Sequence, residues 1–252
     1  MNATAAPGYT LQLLETLPDP AHEVWVRFRV LDPHGTLVTD FRESHTKKVH
    51  LIVVPHDLTS FQHVHPVMDE AGTWSVALSP LPAGNHRLFA DVFPHSEAAA
   101  LTVEHDLQVP GTPEVRPLPP PTRTAVTGRY EVALEGELTA GGPSTLTFRI
   151  HHDGHPVTDL QPYLGAYGHL VAIRGGDLAY AHVHPDGEPG DGRTRPGPTV
   201  TFHTEVPRAG TYRVFRDFQH HGSVHTAALT VPVDAADPAA ALAVATAHHG
   251  HH

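Results

Sequence analysis

Two short segments with two histidines each carry the chemistry that this sequence suggests. They read His63-Val64-His65-Pro66 and His182-Val183-His184-Pro185. If each segment is extended, its two imidazoles point to the same side of the chain, because strand side chains alternate between faces. Imidazole is the commonest metal ligand in proteins and titrates near neutral pH. The spacing therefore indicates paired metal ligands, once in each half of the chain.

The composition restricts which ligands such a site could use. The 252 residues include 24 histidines, no cysteine and only 2 methionines. The lack of cysteine excludes disulfides, thiol catalysis and cysteine-ligated zinc or iron–sulfur sites, and the methionine count excludes a methionine-rich copper carrier. The formal net charge of −11 argues against a nucleic acid or an anionic membrane as a partner. A metal would thus be held by nitrogen and oxygen alone.

The two segments belong to a tandem duplication of one unit. Five landmarks recur in the same order, and three of them share an offset of 119 residues, as in 169 − 50 = 119 for a His-Leu pair. The landmarks are Phe28-Arg29-Val30 with Phe148-Arg149-Ile150, Val38-Thr39-Asp40 with Val157-Thr158-Asp159, His50-Leu51 with His169-Leu170, the two His-x-His-Pro segments, and Gly84–Asp91 with Gly210–Asp217.

This duplication divides the chain into four parts. Repeat 1 covers residues 8–109, a proline-rich linker covers 110–127, and repeat 2 covers 128–233. Proline favours an extended, semi-rigid spacer, which is what a linker between two domains requires. Residues 234–252 form an Ala- and His-rich tail that ends in HHGHH. Such a tail is expected to bind divalent metals with little specificity.

Each repeat has the pattern of an antiparallel β-sandwich. Short runs rich in Val, Thr, Phe and Tyr are separated by Pro, Gly and Asp turns. About seven such runs per repeat are typical of immunoglobulin-like domains. We therefore predict an all-β protein with two tandem immunoglobulin-like β-sandwich domains. Cupin-like barrels show similar local patterns and are the alternative fold.

A hairpin in repeat 2 is expected to assemble three histidines. The dipeptide Gly175-Gly176 suits a two-residue turn with positive φ angles. A turn centred there places His169 directly across from His182. His184 then lies two residues further along, on the same face.

The equivalent hairpin in repeat 1 turns at His56-Asp57 and places His50 opposite His63, with His65 beside them. The same face continues with apolar residues such as Ile52. We therefore expect each trio to end the core-facing stripe of its hairpin, where burial keeps imidazole neutral and able to bind a metal. Clusters of hydrogen-bonded structural histidines are the alternative interpretation.

Residues later in each repeat are further candidate ligands. Asp91 and Asp217 occupy matched positions, and histidines follow both of them, His95 in repeat 1 and His220 and His221 in repeat 2. Each carboxylate would be an oxygen ligand or would accept an imidazole N–H, whereas an edge aspartate facing water is the alternative. The histidines expected in loops or on the surface are His22, His34, His105, His151, His152, His155, His203 and His225.

Three segments carry a resemblance to a known family. They are HLIVVPHDLTSFQHVHP in repeat 1, and VTDLQPYLGAYGHLVAIRGGDLAYAHVHP and GTYRVFRDFQHHG in repeat 2. From Gly8 to Val231 the chain resembles a family of bacterial proteins that are often secreted or membrane-anchored, some of them associated with heavy metals or copper. The resemblance implies an extracytoplasmic protein without enzymatic activity, an immunoglobulin-like or related fold, and copper handling.

The function predicted from these features is metal binding without catalysis. Copper is the first candidate ion and zinc the second, and the protein would buffer the ion or deliver it to a membrane-bound transporter or another protein. We expect a monomer. A metal-dependent enzyme on a β scaffold is an alternative, although the sequence contains no HExxH motif. A structural or interaction module with packing histidines is the other.

The location predicted is extracytoplasmic, periplasmic or secreted, as the resemblance implies. Residues 1–20 lack the basic and apolar regions of a signal peptide, so a cytoplasmic location is the alternative. No run of apolar residues approaches the roughly 18 that a transmembrane helix requires.

Overall fold

The computed structural model describes residues 4–5, 8–14, 22–114, 116–183 and 185–235, and their regular structure is β-strand. Among them no helix is long and apolar enough to cross a membrane. The chain forms two compact units, residues 1–118 (unit 1) and 119–252 (unit 2). The predicted tail lies outside the described residues from residue 236 onward.

Unit 1 is a sandwich of two sheets. One sheet has the strand order β1-β9-β8-β4-β5 and the other β2-β3-β7-β6. Its core is made by alternating apolar residues of both sheets, such as Phe28 of β3 and Leu51 of β4, which are fully buried. The strands are β1 (Thr4–Ala5), β2 (Thr10–Leu13), β3 (Val24–Leu31), β4 (Val49–Pro55), β5 (Gln62–Val64), β6 (Val67–Met68), β7 (Trp74–Leu78), β8 (Gly84–Val92) and β9 (Leu101–Val109).

Unit 2 repeats this architecture. Its sheets have the orders β10-β11-β13-β14, with β17 also paired to β13, and β12-β19-β18-β15-β16. Phe148 of β13 and Leu170 of β15 are fully buried between them. The strands are β10 (Thr124–Thr127), β11 (Tyr130–Glu135), β12 (Thr139–Ala140), β13 (Pro143–His152), β14 (His155–Pro156), β15 (His169–Arg174), β16 (Tyr180–Val183), β17 (Thr199–Glu205), β18 (Gly210–His220) and β19 (Ser223–Ala235).

The predicted fold class is confirmed in both units. In each, two mainly antiparallel sheets pack their apolar faces against each other, as in immunoglobulin-like domains. One short parallel pair, β1 with β9 or β12 with β19, occurs in each unit. The strand orders are those of open sheets, so neither unit is the closed, cupin-like barrel of the alternative prediction.

The predicted register of both hairpins is wrong by two residues. His63 lies opposite Ile52 rather than His50, and His182 lies opposite Val171 rather than His169. The physical reason is that the connections are longer than two residues. In repeat 2 the N–H of Arg174 bonds to the carbonyl of Ala179 at 2.9 Å.

Turn geometry accounts for this longer loop. Gly176 has a positive φ but Gly175 does not. The other residue of this loop with a positive φ is Leu178, at 57°. A two-residue type I′ turn needs positive φ at both central residues. A shift of two residues leaves every side chain on its original face, so the predicted grouping of the histidines on one face does not depend on this error.

The prediction that the trio faces the core is also wrong. Leu51 and Val53 of β4 belong to the core cluster of unit 1, whereas His50 and Ile52 point to the other side of the sheet. Both sets are buried, since all seven residues of β4 are buried. A strand that is buried on both faces has no polar alternation from which its core side could be identified.

A buried histidine in unit 1 gives a testable pH dependence. His86 of β8 is fully buried, and burial lowers its pKa below the ordinary value, with His56 and Asp57 as the charged groups that face it. The unfolded chain therefore takes up a proton as the pH falls below about 6.5, while the folded chain stays neutral until a lower pH. The stabilisation that neutral His86 contributes is therefore complete above about pH 6.5 and is lost as the pH falls below it.

Replacing His86 by tyrosine, the residue at the matched position 212, is expected to reduce this acid sensitivity. Between about pH 7.5 and about pH 5 the parent should lose up to about 2 kcal/mol more stability than His86→Tyr. Urea unfolding followed by tryptophan emission measures it, because both tryptophans, Trp25 and Trp74, lie in unit 1. Equal pH dependence in parent and variant would contradict the prediction.

Candidate metal centre

The hairpin of β4 and β5 brings three imidazoles together in unit 1. The Nδ1 atom of His50 lies 3.1 Å from Nε2 of His63 and 3.3 Å from Nε2 of His65. The three candidate ligand atoms all lie within 4.8 Å of one another. His50 is buried, with 3% of its surface exposed, and the other two are half-buried. The structure thus groups the three histidines that the sequence predicted for repeat 1.

The tautomer of His50 is set by a neighbouring turn. Its Nε2–H donates to the carbonyl oxygen of Ser44 at 2.9 Å, which leaves the lone pair of Nδ1 directed at the other two rings. That carbonyl belongs to a tight turn in which His45 and Thr46 both have positive φ, 50° and 67°. A metal-bound imidazole commonly donates its other N–H to such a backbone carbonyl. His50 is therefore oriented as a ligand binding through Nδ1.

The nitrogen separations match those around a tetrahedral metal. With metal–nitrogen bonds of about 2.0 Å, two tetrahedral ligands lie about 3.3 Å apart. The observed 3.1 and 3.3 Å fit this value. One neutral nitrogen can accept a hydrogen bond from His63 or from His65, but its single lone pair does not serve both well. A cation between the rings satisfies all three nitrogens together.

Burial keeps the imidazole of His65 available as a ligand. It lowers the pKa of His65 to about 2, with the nearby rings of His63 and His50 as smaller contributions. A proton on His65 would place a charge in a poorly solvated site, so the neutral form dominates at physiological pH. Neutral imidazole is the form that binds a metal, so binding at this position requires no prior deprotonation.

The aspartates lie beside the first histidine of each trio. Asp91 of β8 lies directly across from His50 and accepts a 2.6 Å hydrogen bond from the hydroxyl of Thr102. In repeat 2, Asp217 pairs with His169 in the same way and accepts 2.6 Å from the hydroxyl of Thr226. Among the residues that the structure describes, neither aspartate is part of a convergent group, and their role as ligands stays a prediction. Both are buried, so the alternative of an edge aspartate facing water does not apply.

The matched trio of repeat 2 is only partly described. His169 is buried, and its Nε2–H donates to the carbonyl oxygen of Tyr163 at 3.0 Å, as His50 donates to Ser44. His182 lies in β16, but its side chain, and all of His184, lie outside the described residues. The second hairpin trio therefore stays a prediction.

The remaining predicted ligands have other neighbours. His95 is exposed, and its Nδ1 lies 2.8 Å from Asp40 rather than in the unit 1 trio. His220 and His221 are grouped with His152, a residue that the sequence had assigned to the surface. The signal that could have found this group is positional, because His152 and His220 each end a strand just before a turn that contains a glycine.

Fold and geometry together define a tandem immunoglobulin-like β protein with clustered histidines. The family model described as "Domain of unknown function (DUF8832)" matches residues 3–111 and again residues 124–235, so the chain belongs to this family and contains two copies of its domain. No curated protein matches the chain.

Several solved structures are similar to the chain at low sequence identity. The FdeC adhesin of Escherichia coli is 15% identical over 93% of this chain and 66% of its own, with a TM-score of 0.26. MtrC from Shewanella baltica OS185 is 8% identical over 90% and 68%, with a TM-score of 0.28. A putative membrane anchored protein from Corynebacterium diphtheriae is 11% identical over 92% and 59%, with a TM-score of 0.24. The chain thus spans about two thirds or less of the length of these proteins. At such low identities and TM-scores, the functions of these proteins are not transferred to this chain.

Proposed function

We propose that this protein binds a divalent metal ion without catalysing a reaction, and that it buffers the ion or delivers it to another protein. The observation that carries the proposal is the convergence of His50 Nδ1, His63 Nε2 and His65 Nε2 at separations of 3.1 and 3.3 Å. Three neutral nitrogens at such distances repel one another unless a proton or a cation lies between them.

The ligand chemistry favours copper first and zinc second. Imidazole suits both ions as well as nickel, and the chain has no thiolate to favour a softer ion. Among divalent first-row ions, copper binds most tightly to a given set of nitrogen ligands. We accordingly propose Cu(II) as the preferred ion and Zn(II) as the next.

A binding role is favoured over a catalytic one by the surroundings of His50. Its Nε2–H is committed to the Ser44 carbonyl, and the carboxylate across from it, Asp91, accepts a hydrogen bond from Thr102. These contacts orient a ligand rather than move a proton. The resemblance described above supports an extracytoplasmic location and a membrane-bound transporter as the recipient, and both are part of this proposal.

Calorimetric titration of the full chain with Cu(II) and with Zn(II) tests the proposal. To remove binding by the tail, His248, His249, His251 and His252 are replaced by serine, which gives the tail-substituted chain used in the experiments below. In that background, His63→Ala combined with His65→Ala should remove one equivalent of bound metal. Removal of two of three ligands should weaken binding at this site by at least about 100-fold.

The matched control is His34→Ala, because His34 is an exposed histidine of the same unit. It should leave stoichiometry and affinity unchanged. If the His63/His65 double variant binds as many ions as the tail-substituted chain, with the same affinities, the trio is a hydrogen-bonded structural cluster and the proposal is wrong.

A further inference from the structure

A second group of three histidines lies at one end of unit 2 and joins its two sheets. His152 ends β13 of one sheet, whereas His220 ends β18 of the other, and His221 follows directly. The candidate ligand atoms of the three residues all lie within 4.8 Å of one another. None of them belongs to the β15–β16 hairpin that carries His169, so this group has no connection with the duplicated hairpin motif.

Two tight turns hold these histidines at the ends of their strands. Asp153 and Gly154 have φ of 50° and 78°, and His221 and Gly222 have φ of 50° and 75°. Consecutive residues with positive φ reverse the chain within two residues, as in type I′ turns. The backbone of the group is thereby fixed by strand pairing on one side and by the turns on the other.

Hydrogen bonding leaves two of the three rings available. In the part of unit 2 that the structure describes, neither His152 nor His221 makes a hydrogen bond through its ring nitrogens. His152 stacks on the ring of Tyr130 at 4.5 Å, and His221 stacks on His220 at 3.8 Å. These ring contacts position the imidazoles without using their nitrogens. A charged neighbour is Asp153, whose carboxylate oxygen lies 3.7 Å from Nε2 of His152, too far for a hydrogen bond.

His220 is held by both of its nitrogens. Its Nδ1 lies 2.9 Å from the hydroxyl of Tyr130, and its Nε2 lies 3.0 Å from a carboxylate oxygen of Asp159. Tyr130 is buried, so leaving its hydroxyl unpaired would be costly, whereas the side chain of Asp159 is 73% exposed and water can replace its partner. Binding through Nε2 keeps the buried contact, because Nδ1–H then donates to the oxygen of Tyr130.

We propose that His152, His220 and His221 form a second metal site, which takes a divalent ion with a preference for imidazole such as Zn(II) or Cu(II). Asp159, released from His220, is close enough to add an oxygen ligand. Because His221 is exposed, this site exchanges ions with solvent more readily than the unit 1 trio, whose residues are buried or half-buried. The site goes beyond the function proposed above and does not require the trio of His50, His63 and His65.

Zinc titration of the tail-substituted chain and of its His221→Asn variant tests the site. Asparagine lacks the imidazole but tolerates the positive φ at this position, so the turn should fold. The variant should lose one equivalent of bound zinc. The matched control is His155→Asn, since His155 is exposed and lies across from His152 on the neighbouring strand. It should bind like the parent.

Two further measurements make the result independent of any folding defect. In the unsubstituted site, zinc should shift the ring ¹⁵N resonances of His152 and His221 in long-range ¹H–¹⁵N spectra. Asp159→Asn should weaken binding roughly 10-fold to 100-fold without removing the equivalent. Unchanged ring resonances, or equal zinc binding by parent and His221→Asn, would overturn the proposal.

The outcomes separate this site from the trio of unit 1. Loss of an equivalent in His221→Asn but not in the His63/His65 double variant supports the site in unit 2 and refutes the proposed function of the unit 1 trio. The reverse pattern supports that proposed function and refutes the second site.

Discussion

Replacing Gly168 by alanine is expected to unfold unit 2 while unit 1 stays folded. Gly168 has a φ of +134°, a conformation that side chains rarely adopt. A Cβ atom there would clash with the carbonyl oxygen of Asp217 and with the guanidinium of Arg216. The backbone oxygen belongs to a paired strand and cannot move aside. Backbone strain and overpacking together should cost more than about 3 kcal/mol, a large part of the stability of a single domain.

The requirement for glycine comes from the buried side chain of Arg216, which fills the space beside residue 168. Unit 1 has Val49 and Ala90 at the matched positions, whereas unit 2 has Gly168 and Arg216. Arg216 is fully buried, donates to the carbonyl oxygen of Tyr167 at 2.8 Å, and lies with its guanidinium carbon 4.9 Å from the ring centre of Phe202. The glycine with positive φ thus occurs in the repeat that buries an arginine head group beside it, and neither residue occurs at the matched positions of unit 1.

Two optical signals measure this prediction, because the tryptophans report on unit 1 alone. Gly168→Ala should lose far-ultraviolet β signal and become protease-sensitive in unit 2, with native tryptophan emission. Gly128→Ala is the matched control, since Gly128 has a positive φ of 57° but open space around it. It should cost only about 1–2 kcal/mol. A cooperative, wild-type-like transition of unit 2 in Gly168→Ala would show that the site can rearrange.

The sequence predicted the grouping of the unit 1 trio but not its surroundings. Two histidines spaced by one residue must share a face of a strand, and a hairpin must bring a third strand residue near them. Side-chain direction in a strand repeats every two residues. The argument therefore holds for His50, His63 and His65, although the register is shifted by two residues. Which face packs on the core depends instead on what covers the sheet, and the run of apolar residues in β4 carries no information on this.

The group of His152, His220 and His221 could not be predicted from the sequence, for a different reason. His152 and His220 are separated by 68 positions in the numbering, 220 − 152, and lie on strands of different sheets. Their proximity follows from how the two sheets stack, which periodicity within one strand does not encode. His152 was expected at the surface because each histidine was considered alone, without the histidines that sheet packing brings close to it. The turn residues Gly154 and Gly222 were the only local signal that both strands end at these points.

Zinc is expected to raise the melting temperature of unit 1 by roughly 10–20 °C when the ion is present at about 100 times its dissociation constant. A ligand that binds only the folded state stabilises it by about 2.7 kcal/mol at that ratio. For a domain of about 100 residues, each kcal/mol shifts the melting temperature by roughly 4–8 °C. The gain should appear in tryptophan emission of the tail-substituted chain, because Trp74 is buried in the unit 1 core.

His50→Ala should abolish this gain, since it removes the nitrogen that lies 3.1 Å and 3.3 Å from the other two ligands. Zinc is the ion for this measurement because it does not quench tryptophan emission as Cu(II) does. His34→Ala should retain the full shift, and His221→Asn should also retain it, since that substitution lies in unit 2. If His50→Ala melts lower than the parent without metal but gains equally from zinc, His50 has a packing role and the ion binds elsewhere. A shift that disappears only in His50→Ala couples the histidine trio to the stability of the domain that carries it.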